Sequence, residues 1–260
     1  MPAGKVRRQG GNLHHAVAED IGARILKGEF APGALLPNEA EWCQTYKVSR
    51  TAVREAIRML AAKGLVASRP KIGSRVEPRE RWNLLDRDVL GWYGAAMDPE
   101  KFLVSIQQMR RIVEPEAAAL AARNHTPLQM KAIEEAMEGM RTLKLHEEIV
   151  AADVRFHLAI LAAAGNEFLV PFGFLIDSAL ASVFDYTRRR NDDPYYALPL
   201  HEAIVTAIRK RNPEQARHAV KRLLADTDSV IARSRRVPPR QASRRKEPRP
   251  ARPPETRQGT

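Results

Sequence analysis

Asp153 and His157 stand four residues apart in the run Asp153-Val154-Arg155-Phe156-His157. At about 100° per residue a helix would bring the carboxylate and the imidazole onto one face. That spacing suits two ligands of one divalent metal. His201 opens a later apolar run, Leu200-His201-Glu202-Ala203-Ile204, and could add a third donor. The plainer reading of the Asp–His spacing is an i, i+4 ion pair on a helix surface. A second constellation is cationic. Arg50, Arg54 and Arg58 recur every four residues in Ser49-Arg50-Thr51-Ala52-Val53-Arg54-Glu55-Ala56-Ile57-Arg58. Val53, Ile57 and Leu60 occupy the other side of the same predicted helix. A helix that buries one stripe and offers arginines on the other can enter a DNA groove, reading bases from its N-terminal residues. Arg bridges guanine O6 and N7, and a threonine hydroxyl takes a base edge or a phosphate. A solvated arginine stripe is the plainer alternative.

The elements that must hold these residues follow from periodicity and turn chemistry. A helix is expected from about His14 to Lys27, with Val17, Ile21, Ile25 and Leu26 on one face. Gly28 and the turn Ala31-Pro32-Gly33 end it. Asn38 can cap a short second helix, and Ser49 a third that reaches about Lys63 and stops at Gly64. Two β-like runs, 65–68 and 74–76, flank a basic tip containing Lys71 and Gly73. Three short helices and a hairpin make a winged helix-turn-helix over residues 11–78. Beyond Leu84 the pattern is almost wholly helical, with helices expected at 86–96, 100–123, 127–143, 147–163, 167–190, 197–211 and 213–232. The fold class is therefore mainly α: a winged helix-turn-helix followed, over 79–233, by an all-α antiparallel helical bundle.

Composition bounds the rest. The 260 residues suffice for two modest domains, and the hydrophobic share of 44% is ordinary for a folded chain. No run of 18 apolar residues suggests a membrane span, and residues 1–10 read as a disordered start without a secretory h-region. The single cysteine, Cys43, precludes an internal disulfide and fits a cytoplasmic protein. The net charge of +12 is unevenly spread: residues 235–260 hold nine Arg/Lys against two Glu, which is +7 of it. With six prolines and few apolar residues, the segment 234–260 is expected to be a disordered basic tail, able to touch phosphates nonspecifically.

The runs Leu36-Pro37-Asn38-Glu39-Ala40, Val48-Ser49-Arg50-Thr51-Ala52-Val53-Arg54-Glu55-Ala56 and Leu60-Ala61-Ala62-Lys63-Gly64-Leu65-Val66 resemble the GntR family of bacterial regulators. The resemblance implies DNA contacts from Arg50, Thr51, Arg54 and Gly73; Ser49 at the helix start and Lys71 at the basic tip are further candidates by position. Two departures are that Ala40 stands where the family often has Arg, and Lys71 where it often has a first wing glycine. The runs Arg110-Arg111-Ile112-Val113-Glu114-Pro115-Glu116, Asp153 to His157, Ala164-Gly165-Asn166 and His201-Glu202 resemble the FCD ligand domain of the FadR subfamily. That resemblance implies a divalent metal (zinc, nickel or manganese) on Asp153, His157 and His201, and a carboxylate effector at Arg110 and Asn166. The family's fourth metal ligand is a histidine where this chain has Leu223. The stretch Trp82-Asn83-Leu84-Leu85-Asp86-Arg87-Asp88-Val89-Leu90-Gly91-Trp92 is similar to the linker of galactonate-operon repressors, which implies a sugar-acid effector.

The expected function is a sequence-specific, DNA-binding regulator, a repressor of sugar-acid catabolism acting as a homodimer on a palindromic operator and released by a small carboxylate. The alternatives are a metal-dependent enzyme using Asp153, His157 and His201, a nonspecific nucleoid-type binder working through its tail, and a family member with another organic acid or an activating role. Against an enzyme, the sequence offers no nucleophile motif, no convincing general base beside the cluster and no glycine-rich phosphate loop.

Overall fold

Asn38 and Ser49 each accept backbone N–H groups that a helix start leaves unpaired, and each begins a helix. The computed structural model describes residues 13–69, 72–178, 180 and 195–235. Residues 236–260 of the expected tail and the first ten residues lie outside them, as does Lys71, whereas 234 and 235 continue the last helix. Helix α1 (Leu13–Leu26) buries Val17, Ile21, Ile25 and Leu26. Helix α2 (Glu39–Tyr46) opens on a capping box: Asn38 Oδ1 accepts from Ala40 N and Glu41 N at 2.9 and 3.0 Å, and Asn38 N donates to Glu41 Oε2 at 2.7 Å. Helix α3 (Arg50–Ala62) starts with Ser49 Oγ accepting from Ala52 N, and buries Val53, Ala56, Ile57 and Leu60. Strands β1 (Val66–Arg69) and β2 (Gly73–Val76) pair antiparallel, Val66 opposite Val76, and Leu35 bridges to Arg75 on the far side of β2.

Gly64, between α3 and β1, has φ +74°, and a Cβ there would stand 2.1 Å from the Arg81 carbonyl oxygen. Gly28 has φ +82° with nothing within 4 Å. Thermal melts should separate the two. Gly28→Ala costs only the left-handed backbone, about 1–2 kcal/mol. Gly64→Ala adds a clash with backbone that cannot swing aside, for about 2–5 kcal/mol in all. Equal losses at the two sites would contradict this close approach.

After the short 3-10 turn Arg79–Arg81 comes α4 (Arg87–Ala96), capped by Asp86 Oδ1 accepting from Asp88 N and Val89 N. One side of α4 joins the N-terminal core through Val89 and Trp92, with Trp82 beside them. Trp92 lies so flat on Gly22 that a Cβ would come within 2.5 Å of its ring. Lys63 Nζ, at the end of α3, holds Asp86 at 2.7 Å and Asp88 at 2.9 Å. The other side of α4 meets α5: Leu90 clusters with Phe102 and Ile106, and Gly94 faces the Phe102 ring.

The bundle comprises α5 (Pro99–Asn124), α6 (Pro127–Thr142), α7 (His146–Ala163), a 3-10 turn (Glu167–Phe172), α8 (described at residues 173–178 and 180), α9 (Leu198–Arg209) and α10 (Pro213–Arg235). Helices α5 and α10 run antiparallel, tied at one end by Glu116–Arg217 and at the other by Gln107–Asp228 and Arg111–Asp228. Small residues of α5 (Ala118, Ala121, Ala122) let it approach a core of Met130, Ile133, Phe156, Ile204, Ile208, Val220, Leu223 and Leu224. The structure departs from one helix over 167–190. Asn166 caps a 3-10 turn, and Pro171 has no N–H to return to the carbonyl four residues back, so the chain tightens before α8 begins. Residues 181–194, including the expected turn at Asp192-Asp193-Pro194, lie outside the described residues. No described helix is long and apolar enough to cross a membrane.

Candidate functional site

Asp153 and His157 project from one face of α7, and His201 arrives from the first turn of α9. All three are buried, and one donor atom from each lies within 4.8 Å of the others. The outer ring nitrogens are already engaged. His157 Nδ1 lies 2.9 Å from Glu114 Oε2, and His201 Nδ1 lies 2.9 Å from the Ala197 carbonyl oxygen. Those contacts fix both rings with Nε2 turned inward, the arrangement in which histidine serves a metal. Inside, His157 Nε2 is 3.5 Å and His201 Nε2 3.0 Å from Asp153 Oδ1. The closer pair lacks hydrogen-bond geometry, so Asp153 Oδ1 and His201 Nε2 are buried polar atoms without a hydrogen-bond partner. Buried atoms of this kind are rare and call for an explanation. A divalent cation between them fits this donor set, with one carboxylate oxygen and two imidazole nitrogens. Leu223, buried in the adjoining core, offers it nothing.

Arg110 is 1% exposed, on the side of α5 that faces this cluster. Its Nε donates to Glu114 Oε1 at 2.5 Å, its Nη2 to Glu114 Oε2 at 3.4 Å, and its Nη1 to Gln107 Oε1 at 3.2 Å. A guanidinium carries five N–H donors, so two on the terminal nitrogens are left over. Burial opposes the charge on Glu114, but Arg110 and then His157 outweigh it and hold the carboxyl down at about 2. Burial likewise opposes charge on His157, but Glu114 and Asp153 push the imidazole up to about 9. Asp153, also desolvated, is held well below the usual carboxylate range, by His201 first and then His157. The result is a buried chain of polar contacts, Arg110–Glu114–His157–Asp153–His201, across three helices.

Among the residues named from sequence, the structure brings Arg110, Asp153, His157 and His201 together. It does not bring Asn166, whose side chain is exposed and caps the 3-10 turn by accepting from Phe168 N at 3.0 Å. Helix α7 runs six residues beyond His157, about 9 Å along its axis, and Gly165 at φ +73° then turns the chain out of the helix before Asn166. Sequence reasoning missed Glu114 as the link between Arg110 and His157. The Arg110–Glu114 spacing of four residues was its available signal. Gln107 had none.

At the other end of the chain, α3 presents Arg50, Thr51 and Arg54 on its exposed side, next to its capped start at Ser49. Arg54 Nε donates to both carboxylate oxygens of Glu39, at 2.9 and 3.0 Å, leaving its terminal nitrogens out of that bond. Gly73, with φ +99°, begins β2 opposite Arg69.

The chain is similar in sequence to known proteins over both units. Residues 13–76 match the family described as bacterial regulatory proteins of the gntR family, and residues 105–226 match the FCD domain. The chain is 37% identical over 220 residues to the HTH-type transcriptional regulator YieP of Escherichia coli K12, covering 84% of this chain and 94% of that protein. It is 32% identical over 209 residues to the galactonate operon transcriptional repressor of the same organism, covering 80% and 91%. The solved structure of Lar from Listeria monocytogenes superposes with a TM-score of 0.61 at 19% identity over 87% of this chain and 99% of that one, a likeness of fold alone. The matched families and relatives are transcription regulators rather than enzymes. A winged helix with an arginine-bearing third helix, joined to an FCD bundle, places this chain in the GntR family of DNA-binding transcriptional regulators, in the FadR type that carries an FCD domain.

Proposed function

We propose that the protein is a homodimeric repressor of sugar-acid catabolism, released from a palindromic operator when a small carboxylate such as galactonate enters the FCD bundle. The observation that carries the effector reading is the buried Arg110 guanidinium, with two N–H groups to spare, linked through Glu114 and His157 to the partnerless atoms Asp153 Oδ1 and His201 Nε2. A buried cation with unused fork geometry is suited to a carboxylate. Asp153, His157 and His201 would hold a divalent ion, which would supply a second positive centre for the same anion. Glu114 keeps Arg110 flat and His157 turned inward. Galactonate is favoured as an example by the relative that represses a galactonate operon.

On the DNA side, Arg50 and Arg54 read bases from the start of α3, Thr51 takes a base edge or phosphate, and the capped end at Ser49 sits over a phosphate. Gly73 lets the wing backbone approach the duplex, and Lys71 adds phosphate affinity. Two copies related by a two-fold axis match the two halves of a palindrome. Effector release requires the acid to prefer a dimer geometry that mismatches the operator, and the shift cannot exceed that difference in affinity. Arg50→Ala should weaken operator binding by about 1–3 kcal/mol and relax base preference at one position of each half-site. A mobility-shift titration against single-base operator variants reads both. Unchanged affinity and preference would remove α3 from the base-reading role.

A further inference from the structure

Asp226 has a buried carboxylate oxygen, Oδ2, with no hydrogen-bond partner. An unmet buried acceptor is costly, and the fold shows what surrounds it. Asp226 lies on α10 three residues beyond Leu223, on the same helix face. Leu223 belongs to the core cluster of Phe156 and Ile204, and the Phe156 ring packs edge-on against both His157 and His201. Slightly further along α10, Asp228 accepts from Gln107 Nε2 at 3.4 Å, and Gln107 is bonded to Arg110. The Asp226 turn of α10 therefore spans from the level of the two imidazoles to the level of Arg110 and Gln107. Tyr196, just before α9, is 39% exposed and lies near the carboxylates of Asp226 and Asp153. Burial first, then the Asp226 and Asp153 carboxylates, push its hydroxyl up to about 12.

We infer that Asp226 reads a hydroxyl of the bound acid, so that the site takes a hydroxylated monocarboxylate rather than a dicarboxylate or an unsubstituted fatty acid. The inference rests on the proposed role of Arg110 as the carboxylate anchor. An ionised carboxylate accepts hydrogen bonds and donates none. Its partner must bring a donor. A hydroxyl on the effector chain supplies one, whereas an alkyl chain leaves Oδ2 unmet and a second carboxylate meets like charge. With Arg110 engaging one end and Asp226 accepting from the chain, the pocket selects by hydroxyl position as well as by charge.

Titration calorimetry on the full chain with galactonate, gluconate, adipate, hexanoate and 6-aminohexanoate tests this. The wild type should bind one of the two sugar acids at least tenfold more tightly than adipate or hexanoate. Asp226→Ala should lose about ten- to a hundredfold in affinity for that sugar acid, the range for a hydrogen bond to a charged group, and less than about twofold for hexanoate. Operator affinity without effector should not change. Asp226→Asn keeps the shape and a neutral acceptor, so it serves if alanine costs the fold, and its loss should be about three- to tenfold. A sugar acid bound equally by wild type and both variants overturns the inference while leaving Arg110 in place. Tighter binding of adipate or 6-aminohexanoate than of either sugar acid overturns it too. Failure of the wild type to bind any of the five, or unchanged binding by Arg110→Met, overturns the anchor reading on which it rests.

Discussion

Arg110→Met is expected to destabilise the helical bundle by about 3–5 kcal/mol, the cost of removing one partner from a buried ion pair. The size follows from what is left behind. Glu114 is 4% exposed and takes two of its contacts from Arg110, and His157 alone would remain to neutralise it. Methionine fills much of the vacated volume, so the loss is electrostatic more than steric. Adding Glu114→Gln should therefore recover most of the stability, because the stranded charge is gone while an acceptor still faces His157 Nδ1. Urea denaturation of the two variants reads the difference directly. A single-variant loss below about 1 kcal/mol, or no recovery in the double variant, would mean the pair is not carried as a buried charge couple. Carboxylate binding behaves differently. Both variants should bind the effector at least about thirtyfold more weakly, since neither has the guanidinium. Stability and binding thus come apart in the double variant.

Asp153→Ala is expected to abolish metal-dependent stabilisation. Any ion that binds only the folded chain raises its stability by mass action, by about 2.7 kcal/mol at a concentration one hundred times its dissociation constant. For a chain of this size that is a rise of about 5–11 °C in the melting temperature. Asp153 is the one carboxylate in the inner cluster, and its Oδ1 lies close to both inward-facing nitrogens. Without it only two imidazole nitrogens remain, too few to hold a divalent ion at ordinary concentrations. Melts of wild type and Asp153→Ala with zinc, nickel and manganese, each repeated with chelator, should show shifts in the wild type alone. Effector release from the operator should vanish in the variant, with operator affinity unchanged. A full metal shift in Asp153→Ala would move the ion elsewhere.

The parts legible in sequence were those whose cause is local. Asn38 and Ser49 cap helices because a short side chain reaches two or three residues ahead. Asp153 and His157 meet because four residues make one turn. The reading failed where the cause was tertiary or steric at one atom. Pro171 broke an otherwise helical run through a missing N–H. Asn166 fits a family pattern by position, yet the turn at Gly165 leaves its side chain capping the 3-10 turn that follows. Glu114 and Gln107 gain their roles only when α5 meets α7 and α10. Nothing in the order of residues 226–228 distinguishes Asp226 from Asp228. Only the packing of α10 pairs one with Gln107 and Arg111 and leaves an oxygen of the other unmet.

Helix α4 is gripped unequally. Towards the DNA-reading unit it is bolted by Trp92 on Gly22, by Val89 and by the Lys63 clamp on its first turn. Towards α5 it offers Leu90 and the bare backbone of Gly94 to a phenylalanine ring. Torque will concentrate on the softer of two joints in series. The α4–α5 contact is therefore the weaker of the two joints, and α4 belongs with the N-terminal unit. Arg110 lies on α5 one turn past Ile106, so the anchor proposed for the effector and the softer joint share one helix.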